Sequence, residues 1–425
     1  MEFSYGIDDR PGPASLLIFG LQWLAVSVPL ILIIGKVVAG LQTEGSVISY
    51  LQKLFLLIAL VLLVQVYLGH RLPLVIGPAT VLLVGILSSF DQESGAINAS
   101  LVIGGLLLAG LAATGIIGRL KSLFTPRVIT VVLMLIAFTL APTILDLITD
   151  GGGTVPPAQT FLFALAFALA LFLANGFLKG IWKSTLALWA ILLGTPAYVA
   201  LFGAVPLPPA DTSLVALPGD LLAPLAVPEI GVLAAFLFCY LALAVNDLGS
   251  IQSVGGLLKA NEMGERLDRG VTVTGIGNAL AGFTGVIGSV NFSLSPGVIA
   301  ATGCASRFAL VPAAVGLGLL AASPLAIGYL ESIPAPVIGV VLAYVMAAQI
   351  AAGLMLAQES GAAGTLDEAL IVGIPLLLGT LVAFLPPEVA AGFPAAIRPL
   401  IANGFVVGIV TALGLEHVVY RRRRV

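Results

Sequence analysis

Charged residues are scarce in this sequence. Only 9% of its 425 residues are Asp, Glu, Lys or Arg, whereas a soluble domain carries about 25%. Hydrophobic residues make up 59%, and apolar runs of about 20 residues, long enough to cross a bilayer as helices, recur along the chain. The composition therefore argues against a water-soluble domain and predicts an all-α polytopic membrane protein.

Cysteine and histidine are almost absent. Cys239 and Cys304 both lie in apolar stretches, which favours neither a disulfide framework nor a metal site. His70 and His417 are far apart at predicted span ends, where interfacial polar residues are the simplest interpretation. With a net charge of only −3, no nucleic-acid partner is expected. We expect no metal and no cofactor.

Catalytic and targeting motifs are also missing. The sequence has no His-Glu-x-x-His, no Gly-x-Ser-x-Gly and no pair of Asp residues at membrane depth, so an enzyme is not expected. The first thirteen residues lack the basic region and cleavage site of a signal peptide. The apolar run that begins at Ala14 is therefore predicted to be a true membrane span.

Fourteen apolar segments are present. They lie near 14–37, 50–68, 79–90, 99–118, 128–147, 158–176, 182–203, 231–247, 271–287, 294–303, 306–328, 336–356, 367–385 and 396–418. If the N-terminus is cytoplasmic, only Lys36, Lys53 and Arg398 of the 18 Lys and Arg residues fall outside the cell. The other fifteen fall inside, which is the positive-inside bias of membrane proteins. The pattern predicts that both termini are cytoplasmic.

The Pro-rich stretch from Val205 to Pro228 divides these segments into two sets of seven. An odd number of spans in each half gives the halves opposite orientations, as in the inverted repeats of secondary transporters. The segments 79–90 and 294–303 are third in their halves and too short to cross a membrane. Both follow extended stretches, and prolines at Pro78 and Pro296 suit helix starts. Paired interrupted helices of this kind point to a central binding site.

Several motifs resemble those of the nucleobase–cation symporter family, which includes the bacterial uracil and xanthine permeases and the nucleobase–ascorbate transporters. Ile333–Gly339 (Ile-Pro-Ala-Pro-Val-Ile-Gly) resembles the opening of its twelfth span, and Gln22–Leu24 resembles the Gln-His-Leu of its first. Asn291–Ser295 resembles its tenth-span Asn-Thr-Ser-Phe-Ser, and Thr302-Gly303 with Ser306-Arg307 resembles the stretch that follows.

The resemblance implies a fold and an activity. The fold would have fourteen segments in two inverted repeats, with short antiparallel strands in segments 3 and 10. The domains would be a core (14–124 and 231–330) and a gate (125–203 and 331–425), joined by an outer linker (204–230). The function would be proton-coupled import of a nucleobase such as uracil or xanthine across the inner membrane, by alternating access, in a homodimer formed through the gate domains.

The sequence departs from this family in segments 8 and 10. Segment 8 usually has Glu, then Gly three residues later, then His or Asp; here Asn246 stands at the Glu position, with Asp247 beside it. Segment 10 usually has Glu-Asn or Gln-Asn, where this chain has Pro296-Gly297. An anion transporter of the sulfate-permease and prestin type, which resembles this family in fold, is therefore the alternative function.

Candidate site residues follow from chemistry at membrane depth. Asp247 is a carboxyl in the eighth span, where such groups mark proton paths; a structural hydrogen-bonding role is the alternative. Asn246 can donate to and accept from a base edge, or link helices. The starts of the short helices offer free N–H groups to a substrate, or are simply capped. Substrate binding is predicted at these starts and in spans 1 and 12, by Ala79, Thr80, Asn291, Ser293, Ser295, Gln22 and Tyr344.

Overall fold

The computed structural model describes residues 3–41, 46–89, 92–116, 123–203, 205, 207–209, 212–394 and 397–420. Six of the basic residues on which the predicted orientation rests lie outside these ranges, namely Arg119, Lys121 and Arg421–Arg424. The fold is helical with one pair of short strands, as predicted. Eight helices in the described ranges are long and apolar enough to cross a membrane, or nine if one bent pair is a single span.

The elements of the first half are α1 (Pro13–Leu41), α2 (Val47–Tyr67), β1 (Ile76–Pro78), α3 (Thr80–Leu87), α4 (Ser94–Ala113), α5 (Pro126–Thr139), α6 (Ala141–Thr149), α7 (Pro157–Phe177), α8 (Gly180–Ser184) and α9 (Leu186–Phe202). Those of the second half are α10 (Ile230–Leu257), α11 (Met263–Thr284), β2 (Ser289–Asn291), α12 (Ser295–Thr302), α13 (Leu310–Ala321), α14 (Pro324–Glu331), α15 (Ala335–Glu359), α16 (Leu366–Ala383), α17 (Pro387–Ala391), α18 (Arg398–Ile401) and α19 (Gly404–Gly414).

The two short segments are interrupted helices, as the sequence predicts. β1 leads into the eight-residue helix α3, and β2 leads into the eight-residue helix α12. The strands pair antiparallel, with Ile76 opposite Asn291 and Pro78 opposite Ser289. All six strand residues are buried. Their irregular backbone is thus covered by protein, which is the condition for such backbone at membrane depth.

Small residues let α4 and α11 pack backbone to backbone. A Cβ added to Gly105 would lie 2.5 Å from the backbone nitrogen of Ala279, and one on Gly282 would lie 2.5 Å from the carbonyl oxygen of Asn98. Such contacts exclude side chains larger than hydrogen and are typical of helix interfaces in membranes. The glycines of the ninth segment therefore allow close helix packing. The helix that carries them, α11, also contacts β2.

One predicted span is sharply bent. Within the crossing predicted over 306–328, the chain turns by 89° between Arg307–Ala321 and Pro324–Glu331. The turn is set by Ser323, whose hydroxyl accepts from the backbone N–H of Ala326, and by Pro324 at the first position of α14. A proline suits that position because it has no N–H to pair.

Candidate functional site

The strand pair places the starts of two helices near each other. Because β1 and β2 are antiparallel, α3 and α12 run in opposite directions and each begins where its strand ends. The first N–H groups of a helix have no partner within the helix, and they carry its partial positive charge. The start of α3 therefore presents hydrogen-bond donors toward the region of the strand pair. At the start of α12, Pro296 has no N–H, and the N–H groups of Ser295 and Gly297 already donate to the carbonyls of Phe292 and Leu294.

Helix α10 runs beside this pair and contacts β2, α3 and α12. It carries both Asn246 and Asp247, so the structure brings the predicted polar residues of segments 3, 8 and 10 together. The side chain of Asn246 is partly exposed and forms no hydrogen bond with any residue that the structure describes. It is thus available to a ligand, as the prediction for this residue requires.

Asp247 is fully buried and points at β2. One carboxylate oxygen accepts from the backbone N–H of Asn291 at 2.9 Å and from its side-chain amide at 2.7 Å. The other accepts from the hydroxyl of Thr274, at 2.8 Å. Asp247 therefore fixes the position of β2, whatever further role it has.

Asn291 and His70 join the two halves of the chain. The Nε2 atom of His70 lies 3.1 Å from the amide oxygen of Asn291, and its Nδ1 accepts from the backbone N–H of Leu72. Since Nδ1 is an acceptor, Nε2 carries the proton and donates to Asn291. The prediction that His70 is an interfacial residue is wrong, because the side chain is fully buried.

Further polar residues complete this buried network, and the sequence prediction missed them. Gln65 donates to the carbonyl of Gly270 at 2.7 Å and to the hydroxyl of Thr274 at 3.1 Å. Asn278 donates to the carbonyl of Ser289 at 2.9 Å. The signal was present in the sequence, because Gly270, Thr274 and Asn278 are spaced by four and share one face of a helix.

The residues at the starts of α3 and α12 differ in their exposure and in their hydrogen bonds. The N–H of Ala79 donates to the carbonyl of Gly288 at 2.8 Å, and the buried hydroxyl of Ser295 accepts from the N–H of Val75 at 3.1 Å. By contrast, Thr80 is partly exposed and Ser293 is exposed. Thr80 and Ser293 are therefore the more accessible members of this set.

Two predicted residues on other helices have different surroundings. Gln22 lies on α1, which packs against β1 and α3, and its buried Oε1 has no partner among the residues that the structure describes. Tyr344 lies on α15, where its hydroxyl donates to the Oδ1 of Asn175 at 3.1 Å and its ring packs on Phe172. Gln22 can accept a hydrogen bond from a ligand, whereas the hydroxyl of Tyr344 already donates a hydrogen bond to Asn175 on α7.

A large cleft lies apart from these residues. It measures about 730 Å³ and is lined by the loop after α6, the end of α9 and the link between α14 and α15, including Asp150, Tyr198 and Glu331. Beside it, the ammonium of Lys36 donates to the carbonyls of Glu331 and Ile333 at 2.5 and 2.7 Å. None of the predicted binding residues lines this cleft. No cluster of metal-binding side chains occurs in the described ranges.

Comparison with known proteins gives three kinds of match. The family model Xan_ur_permease, described as a permease family, matches residues 14–388. A protein of Clostridium perfringens that is named a purine permease is 28% identical over 97% of this chain and 92% of its own length. The xanthine permease of Bacillus subtilis is 26% identical over 96% of this chain and 94% of its own length.

The solved structures that match include those of two anion transporters. The transmembrane domain of the cyanobacterial bicarbonate transporter BicA matches with a TM-score of 0.64 and 17% identity, over 88% of this chain and 97% of that one. Murine Slc26a9 matches with a TM-score of 0.59 and 14% identity, over 97% of this chain and 69% of that one. At such identities the likeness concerns the fold.

Proposed function

Because this chain belongs to the Xan_ur_permease family and is a multi-pass membrane transporter rather than an enzyme, we propose that it carries a nucleobase, and specifically an oxopurine of the xanthine type, across the inner membrane. The names of its relatives, which are purine, xanthine and uric acid permeases, support a purine over uracil. The observation that carries the proposal is the pair of interrupted helices beside α10, because this arrangement provides a central binding site.

The binding chemistry fits the edge of an oxopurine. Such a base has N–H donors next to C=O acceptors, and the amides of Asn246 and Gln22 can pair with both kinds of group. The N–H groups at the start of α3, near Thr80, can donate to ring carbonyls, and the exposed hydroxyl of Ser293 can add a hydrogen bond. Amides, which both donate and accept, suit the mixed edge of a base better than an anion that only accepts.

Transport is coupled to protons through Asp247 in this proposal. The carboxyl is fully buried, and burying a charged carboxylate in a membrane protein is costly, so a protonated form can be populated. Protonation would weaken the hydrogen bonds from Asn291 and its backbone N–H, because a neutral carboxyl is a poorer acceptor. Proton binding would thus act on β2 and on the helix start that follows it.

Alternating access requires contacts between core and gate that break and form. Two such contacts involve the interrupted helices: α12 contacts α8, and the amide of Asn403 donates to the hydroxyl of Ser88, just after α3, at 2.8 Å. The contact of Ser88 lies at the end of α3 that is remote from the strand pair. We propose that each of the two contacts closes one side of the site, with both termini cytoplasmic and the gate domains forming the homodimer.

Uptake by purified protein in proteoliposomes tests the proposal. We expect saturable uptake of radiolabelled xanthine that an inward proton gradient accelerates, with weaker uptake of uracil and none of sulfate. Uptake of sulfate but of no base would support the alternative function, anion transport, and would refute the proposal.

Two variants distinguish a role of Asp247 in proton coupling from a purely structural role. Asp247→Asn removes the titratable group, whereas Thr274→Val removes one hydrogen-bond donor to Asp247 and leaves the carboxyl in place. We expect Asp247→Asn to exchange xanthine without responding to the gradient, and Thr274→Val to keep the response. Equal gradient responses in Asp247→Asn and the unmodified protein would exclude the coupling role.

A further inference from the structure

An open apolar groove runs along the outside of the core between α1 and α13. It encloses about 640 Å³ and is lined by Leu17, Leu21, Leu24, Val315 and Leu319, among others. Leu21 is 54% exposed and Leu319 is 69% exposed, so much of each side chain is uncovered in the described structure. The groove is separate from the strand pair and from the cleft beside Lys36.

The floor of the groove is formed by the close approach of the two helices. A Cβ on Gly20 would lie 2.5 Å from the ring of Pro312, and one on Gly316 would lie 2.7 Å from Leu24. Glycine at both positions therefore allows α1 and α13 to meet while the leucines on either side remain apart. The result is a channel with apolar walls rather than a flat surface.

The length of the groove corresponds to one leaflet of a bilayer. From Val311 to Leu320 the helix rises by about 14 Å at 1.5 Å per residue, and the hydrocarbon core of a bilayer is about 30 Å thick. Beyond Leu320 the chain turns sharply into α14, whose residue Ala326 closes the groove. A single acyl chain of one leaflet fits these limits.

A cation lies at the end of the groove where both helices begin. The guanidinium of Arg10 is 4.9 Å from the centre of the Phe308 ring, and Val311 of the groove follows one turn later. Arg10 is exposed, and none of the ion pairs within the described ranges involves it. The neighbouring carboxylates are engaged: Asp8 pairs with Arg307 at 2.7 Å, and Asp9 accepts from the N–H of Gly6.

We propose that this groove binds an anionic phospholipid, with one acyl chain between α1 and α13 and the phosphate group on Arg10. The charge of Arg10 and the length of the groove each favour this occupant. A basic residue near an anionic headgroup contributes about 1 kcal/mol, which is about fivefold in affinity.

Native mass spectrometry of the detergent-solubilised protein tests this site, because it reports bound lipids and oligomeric state together. The probes are phosphatidylglycerol and phosphatidylcholine with identical acyl chains. We expect about fivefold tighter binding of phosphatidylglycerol, loss of that preference in Arg10→Gln, and its retention in Arg10→Lys. Lys179→Gln, which removes an exposed cation elsewhere, is the matched control and should keep the preference. Val315→Trp, which fills the groove, should weaken the binding of both lipids.

Two results would overturn the proposal. If Arg10→Gln and Lys179→Gln reduced the preference equally, the effect would come from overall charge and not from this site. If Val315→Trp left lipid binding unchanged but dissociated a dimer, the groove would be occupied by a second copy of the chain.

Discussion

At the scale of single residues, Asn291 makes three hydrogen bonds with two buried side chains. Its backbone N–H and side-chain amide donate to Asp247, and its amide oxygen accepts from His70. The side chains of Asp247 and His70 are fully buried, so neither has water as an alternative partner. Together with the pairing to β1 and the hydrogen bond from Asn278 to Ser289, these bonds hold β2 in place.

Replacing Asn291 by Ala should destabilise the protein by about 1–3 kcal/mol, because buried polar groups on two neighbours lose a partner. Chemical unfolding in detergent measures this loss. Ser293→Ala, two residues away and exposed, is the control and should change stability by less than about 0.5 kcal/mol. Equal stability of the two variants would show that Asn291 is dispensable.

Which residue of α10 faces the site was beyond prediction from sequence. Neighbours on a helix point about 100° apart, so Asn246 and Asp247 cannot both face one partner, and only the packing of α10 decides between them. The burial of His70 was not predicted for a related reason. Its hydrogen-bond partner, Asn291, lies 221 positions away in the sequence. Glu416, which is buried and paired with Arg127, was overlooked because its partner is equally remote.

The family pattern in α10 also fits a second register. If Asp247 stands at the position of the family's His or Asp, then Leu243 stands at the position of its Glu and Asn246 at that of its Gly. Leu243 is buried and offers no hydrogen bond. In either register the carboxylate at the family's Glu position is absent, so the proposed recognition of a base would rely on amides and backbone groups.

At the scale of elements, the interrupted helices were predictable because their signals are local. Short apolar runs, prolines at the starts and equal places in the two halves predicted α3 and α12 to within a few residues. The 89° turn before α14 had a local signal too, Ser323-Pro324, but a proline of this kind is equally compatible with a kinked span.

The strand pair should tolerate no side chain at Gly77. A Cβ there would overlap the ring of Phe292, the residue that follows β2, so Gly77→Ala should push the strands apart. We expect a loss of about 1–3 kcal/mol, as for overpacking elsewhere, together with reduced xanthine uptake.

Thermal unfolding and uptake of the same preparation measure these effects. Gly373→Ala on α16, where a Cβ meets nothing within 4 Å, is the control and should leave both unchanged. A Gly77→Ala protein that is as stable and active as this control would mean that the strands can separate at no cost.

At the scale of the whole molecule, the contact between Ser88 and Asn403 joins the proposed core to the proposed gate. Their side-chain atoms lie 2.8 Å apart, so we expect oxidation to join cysteines placed at both positions. In the double variant Ser88→Cys/Asn403→Cys, oxidation should block uptake, because core and gate can no longer separate on that side.

Reduction with dithiothreitol should restore uptake, and either single variant should be insensitive to oxidation. The native cysteines, Cys239 and Cys304, are both buried and should not interfere. An oxidised double variant that transports at the unmodified rate would contradict the assignment of this contact to a closing gate.

The segment before α1 is joined to the far end of an interrupted helix. Tyr5 pairs with Cys304, two residues beyond α12, and the backbone of Ser4 and Ile7 bonds to Gly303 and Arg307. A fluorescent label near residue 6 should therefore move together with α12. It would report the displacement of α12 relative to a second dye on the proposed gate. Energy transfer between the two dyes could follow single molecules through the transport cycle without any modification of the residues at the centre.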